Sequence, residues 1–178
     1  MTISKEQVTE LLSRARRSSW PSELLVTGAG HQRWFGHLVT RIGILVGDEP
    51  VEYCDSHFEK SGEAFTAELA LFTATRVVRA RLAEGQAQAW AFGRSELERV
   101  VAGESGDFFD HKLGWPPPAS IDAVYPRETL HLETAGLTEI ELDRFHEFLP
   151  SLLADLGIGR ARRSRVGQEP HHRAGWAW

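Results

Sequence analysis

At 178 residues and 19.9 kDa, with hydrophobic residues at 42% and charged residues at 25%, the chain has the composition of one globular core, not of a disordered or membrane-embedded protein. A formal net charge of -5, from 20 basic and 25 acidic residues, argues against a surface that tracks nucleic-acid phosphates throughout. The single cysteine, Cys54, excludes an internal disulfide and suits a reducing cytoplasm; Lys5, Glu6, Glu10, Arg14, Arg16 and Arg17 leave no apolar stretch of signal-peptide length near the start, so neither secretion nor a membrane span is expected.

Ser4 and Gln7 can form a capping box, and Val8, Leu11, Leu12 and Ala15 then share one face of a helix that ends near Arg16, before Ser18, Ser19 and Pro21. Its three arginines complement the negative end of the helix dipole. Gly28, Ala29 and Gly30 lack the preceding strand and terminal lysine of a phosphate-binding loop and read as a turn between helices. Trp34, Phe35, Leu38, Val39, Ile42, Leu45 and Val46 recur at helical spacing, which predicts a second helix from about His31 to Val46, stopped by Gly47, Asp48, Glu49 and Pro50.

From Val51 the period changes to two. Residues 51–59 read as a strand with Val51, Tyr53, Asp55 and His57 on one side and Glu52, Cys54, Ser56 and Phe58 on the other. After a turn at residues 60–63, Phe65, Ala67, Leu69 and Leu71 alternate, and Val78, Ala80 and Leu82 do so again past a corner at residues 73–76. Arg79 and Arg81 therefore project together from the opposite face. A hairpin at Glu84, Gly85 and Gln86 leads into a strand on which Trp90 and Phe92 share a face; residues 95–102 fit a strand or a helical turn, and are read as a strand ending near Val101.

Residues 103–118 form the main irregular segment, in which three prolines forbid a regular ladder and Phe108, Phe109 and Trp115 must either pack inward or meet a partner. Strands over 120–125 and 129–133 follow, with Ile121, Leu130 and Leu132 as core residues. Thr138 and Glu141 make a capping box for a last helix whose stripe is Leu142, Phe145, Phe148, Leu149, Leu152 and Leu156, ending at Gly157; Pro150 predicts a kink or break within it. Past Gly159, a tail without periodicity carries Arg160, Arg162, Arg163, Arg165 and Arg173, with Trp176 and Trp178. Such a tail could meet nucleic-acid phosphates or an anionic membrane, but arginine supplies most basic residues of this chain, and a solubilising end explains the run as well.

Catalytic chemistry finds little support. Asp55 and His57 share a strand face and would be the pair for a small hydrolase, yet Cys54 points away from both. Asp110 and His111 are adjacent without a geometry for base and orienter, and the 8 histidines form neither a metal-ligand spacing nor, as His131 with Glu133, a credible site. No cofactor or metal is expected.

The order of helices, six or seven antiparallel strands and a long last helix, with the phrases ELALFTATRVVRARL and AFGRSELERVV, resembles the bacterial pleckstrin-homology-like superfamily over about residues 51–156. The resemblance implies an α+β domain of two nearly orthogonal antiparallel sheets, a barrel or roll, capped at its open end by the C-terminal helix. It also implies a scaffold for a protein or peptide or, in some members, a lipid headgroup. The basic residues that chelate inositol phosphates in lipid-binding members are approached here only by Lys60, Arg79 and Arg81, with Glu63 in the intervening turn. The chain then divides into a helical extension (1–46) that would cover a sheet edge or form a homodimer surface, a pleckstrin-homology-like domain (47–159) and a basic flexible tail (160–178). A non-catalytic cytoplasmic module that binds a protein or peptide is the favoured reading. Lipid or nucleic-acid binding through Arg79, Arg81 or the tail is the alternative.

Overall fold

The computed structural model describes residues 33–61, 64–83, 85–105 and 119–166, the backbone alone for 33–35, 61, 64, 104–105 and 158–166. A helix, α1 (Arg33–Val46), is followed by a four-stranded antiparallel meander, β1 (Val51–Ser61), β2 (Ala64–Thr73), β3 (Arg76–Ala83) and β4 (Gln86–Gly93), in that spatial order. A single 3-10 turn (Arg94–Glu96) leads to a second, three-stranded antiparallel sheet of β5 (Arg99–Ser105), β6 (Ala119–Tyr125) and β7 (Glu128–Glu133), and the chain ends its described course in α2 (Glu139–Val166). The α+β class with two antiparallel sheets is as the sequence implies. Among the described residues the two sheets share no ladder, so these strands do not close a barrel.

Alternation along the meander sorts the strands onto two cores. Ala67, Leu69, Leu71, Val78, Ala80 and Leu82 turn one face of the larger sheet toward Leu38, Val39, Ile42 and Val46 of α1. The helix thus covers a sheet face, and not the edge expected of an N-terminal extension. Its end is fixed by Gly47, whose φ of 66° permits the left-handed turn that returns its N–H to the Gly43 carbonyl, and by Arg76, which donates to the Leu45 carbonyl. The opposite face, carrying Tyr53, Ala70, Phe72 and Val77, packs on Ile121, Ala123, Tyr125, Leu130 and Leu132 of the smaller sheet and on Phe145, Phe148 and Leu152 of α2. Each such aliphatic or aromatic side chain contributes about 1.5–3 kcal/mol when removed from water.

Several local expectations are corrected. A β-bulge between Val51 and Tyr53 breaks the alternation of β1, so Val51 joins Cys54 and Phe58 in the α1 core while Tyr53 faces α2. Lys60 and Ser61 continue β1 instead of opening the turn. The segment read as one strand from residue 95 begins as the 3-10 turn, and its strand starts at Arg99 and runs on to Ser105. Pro150 does not divide α2. Its position is exposed, as is that of His146, whose carbonyl loses its helical donor. The same helix continues past Gly159 to Val166, so Arg160, Arg162, Arg163 and Arg165 lie on helical backbone and not in an irregular tail. The predicted first helix, the Gly28–Gly30 turn, Asp110, His111 and the aromatics Phe108, Phe109 and Trp115 lie outside the described residues, as do Arg173, Trp176 and Trp178.

Candidate functional site: the groove beside an edge strand

Strand β4 is, with β1, one of the two outer strands of the larger sheet, and among the described residues no strand pairs with its second side. Its side chains alternate as predicted: Ala87 and Ala89 turn toward α1, whereas Trp90 and Phe92 turn toward the smaller sheet. Between that face and the β6–β7 turn lies a groove of about 470 Å³, walled by Trp90, Phe92, Tyr125, Pro126, Glu96 and Glu128.

The walls are held in place by specific contacts. Phe92 meets Tyr125 edge to face at 4.8 Å between ring centroids. Trp90 is 38% exposed, and its indole N–H donates to Glu128 Oε2 at 3.1 Å. The other oxygen of Glu128 accepts from Arg79 Nε at 2.7 Å. One carboxylate therefore orients the tryptophan and neutralises the arginine. Behind the groove the Tyr125 hydroxyl is buried without a hydrogen-bond partner among the described residues; burial pushes its phenol pKa up, and the Asp155 charge adds to that.

Next to this wall the chain turns at Arg94, which is 2% exposed and donates four hydrogen bonds. Its Nε donates to Asp155 Oδ2 at 2.6 Å, Nη2 to Ser151 Oγ at 2.6 Å, and Nη1 to both the Thr73 carbonyl at 2.7 Å and Glu52. The β1 bulge supplies that glutamate, and Phe148 lies beneath the guanidinium at 5.5 Å. Burial opposes the charge on Arg94, but the hydrogen bonds and charges of Glu52 and Asp155 outweigh it and hold its pKa above the ordinary value. Burial raises Asp155, against the hydrogen bond and charge of Arg94. With all three of its guanidinium nitrogens bonded inward, Arg94 ties β1, β2 and α2 together. Sequence reasoning missed it because its carboxylates are 42 and 61 residues away and no local pattern marks it.

The predicted basic residues do not converge. Lys60 sits on the α1 side of the sheet with its ammonium 5.5 Å above the Phe65 ring, whereas Arg79 and Arg81 share the opposite face. There Arg79 is held by Glu128 and Glu68, and Arg81 lies 3.4 Å from Glu68. Asp55 is half-buried, while His57 is exposed and bonded to Glu59 at 3.1 Å. Cys54 is fully buried, and burial pushes its thiol up, away from the nucleophilic thiolate. His131 pairs with Asp122 at 2.7 Å on the outer face of the smaller sheet, and no three metal-ligating side chains come together among the described residues. Compared with known proteins, the chain matches no family model, no curated sequence and no solved structure.

Proposed function

We propose that this protein is a non-catalytic interaction module that takes an extended peptide segment of a partner protein along the free edge of β4, with an apolar side chain of that segment in the Trp90 groove. The observation that carries the reading is a half-open tryptophan, fixed by Glu128, beside an edge strand that no other strand pairs with among the described residues. An unpaired edge presents a row of N–H and C=O groups that template another strand, and an adjoining pocket then selects its side chains. Four strands, three strands and a C-terminal helix over residues 51–166 are in line with a pleckstrin-homology-like scaffold, a class that implies peptide binding. The reading includes no cofactor. The lone cysteine supports a reducing compartment, and no helix among the described residues is long and apolar enough to cross a membrane. Lipid binding through Arg79 and Arg81 has less support, because both guanidinium groups already face carboxylates.

Selection from a random displayed-peptide library, followed by amide hydrogen exchange on the complex, tests the reading. Bound peptides should protect the outward amides of β4, and Trp90→Ala should weaken them by about tenfold, as expected for an aromatic anchor. Binders that protect other strands, or that keep their Kd with Trp90→Ala, would overturn it. Light scattering distinguishes a second copy of the chain as the occupant of the edge.

A further inference from the structure

The opposite end of β4 borders a second cleft, of about 420 Å³, lined by His37 and Arg41 of α1 and by residues Gly85, Gln86, Ala87 and Gln88. His37 and Arg41 are one helical turn apart and lie on one flank of α1, with the exposed Ile44 next along the same stripe. Neither basic side chain makes a hydrogen bond or ion pair among the described residues. In a chain of formal net charge -5, an arginine without a carboxylate partner among the described residues stands out. The pair is a good arrangement for receiving an anion: the guanidinium offers a fork of donors and the imidazole an N–H.

The cleft and the Trp90 groove are served by the same strand from opposite sides. Ala87 and Ala89 face α1, so a strand added to β4 would have its α1-facing side chains beside small residues and beneath the His37–Arg41 flank. Its alternate side chains would enter the Trp90 groove. Resting on the peptide-binding reading above, we infer that the bound peptide is acidic. It carries a side-chain anion, a carboxylate or a phosphate ester, an odd number of positions from its apolar anchor, so that the two point to opposite faces of the added strand. A spacing of three positions spans about 10 Å, which carries the anion from the groove toward the cleft.

The test uses the full chain and synthetic peptides that share one apolar anchor. The variable position holds Glu, phosphoserine, Gln or Lys, at an odd or an even distance from the anchor. Glu or phosphoserine at the odd distance should bind roughly fivefold tighter than Gln, the range expected of exposed charge pairs. Arg41→Glu should reverse that order and favour Lys, whereas Arg41→Gln should abolish the discrimination. The comparison of Glu with phosphoserine identifies which anion the cleft takes. Equal affinities across the series, or a preference unaffected by Arg41→Glu, overturn the inference. If Trp90→Ala still weakens those same peptides, the peptide-binding reading stands without it; if no peptide of any charge binds, both fall.

Discussion

One face of the four-stranded sheet is closed by α1 over hydrocarbon, with the Ser56 hydroxyl as the buried exception on its strand; the other is closed by α2 and the smaller sheet around a buried guanidinium. Both coverings remove comparable apolar side chains from water, but they differ in what they specify. The apolar contacts of the α1 face are not directional, so the helix is located there mainly at its end, by Arg76 at the Leu45 carbonyl and by Glu49 in the loop that follows. On the α2 face, Arg94 is bonded at once to the β1 bulge, to the end of β2 and to two successive turns of α2 at Ser151 and Asp155. A buried ion pair adds little net stability over well-packed apolar residues. What Arg94 adds is the axial position and rotation of α2.

The largest effect should come from breaking that network. Arg94→Ala leaves Asp155 and Glu52 facing a vacated, water-poor site and is expected to cost about 3–5 kcal/mol in urea unfolding. Arg94→Met combined with Asp155→Leu should recover most of that loss while loosening α2, visible as faster amide exchange in its central turns. A loss below about 1 kcal/mol in the single variant would show that α2 is positioned by apolar packing alone. On the dry face, Ile42→Ala should cost about 3 kcal/mol by opening a cavity beneath α1. Because the sheet separates Ile42 from Arg94, the two losses should add to within about 0.5 kcal/mol; a larger coupling would mean that the two cores behave as one.

The same contrast explains what was legible in the sequence. Where a face is buried against hydrocarbon, the period of two or of 3.6 is written into the residues, and α1, β2, β3, β6, β7 and the start of α2 follow from it. Capping and turn chemistry is equally local, as at Thr138 with Glu141 or at Pro126 and Arg127. The alternation failed at β1 because a bulge is stabilised by a distant partner: Glu52 is turned toward Arg94, and nothing near Val51 announces it. It failed at residues 94–96 because the corner is fixed from afar, by the Thr75 carbonyl and by α2. The Trp90–Phe92 face was legible as alternation, but the groove was not, since its other wall comes from the β6–β7 turn. The pairing of Arg79 with Glu128 crosses between the sheets and was likewise out of reach.

A smaller effect is expected at the entry to α2. Thr138 Oγ1 accepts from the Glu141 N–H and lies 2.9 Å from its carboxylate, which in turn accepts from the Thr138 N–H. Thr138→Ala should cost about 1 kcal/mol by exposing the first turn. If the network at Arg94 fixes the far end of the packed segment independently, that loss should be unchanged in the Arg94→Met, Asp155→Leu background, as double-mutant unfolding would show.

The subtlest test concerns pH, because the two sides of the sheet carry carboxyl groups shifted in opposite senses. Glu49 anchors the loop after α1 to the β2–β3 turn, accepting from Thr73 Oγ1 at 2.6 Å, from the Thr75 N–H and hydroxyl, and facing Arg76 at 3.0 Å. The Thr73 hydrogen bond, then the Thr75 bonds and the Arg76 charge, lower its pKa below the usual glutamate value of 4.5 against the opposing effect of burial. A carboxyl whose folded pKa is depressed stabilises the fold above its unfolded pKa, and that contribution is lost as pH falls through the folded value. Asp155, raised by burial, has the opposite sign: its contribution is present below the unfolded pKa and lost as pH rises through the folded one. The stability difference between wild type and Glu49→Gln cancels Asp155, which both proteins contain. That difference should be near zero in strong acid and rise through the glutamate range to a plateau of about 1 kcal/mol toward neutrality. A difference that stayed flat across this range would mean that the threonine bonds hold Glu49 without favouring its charge.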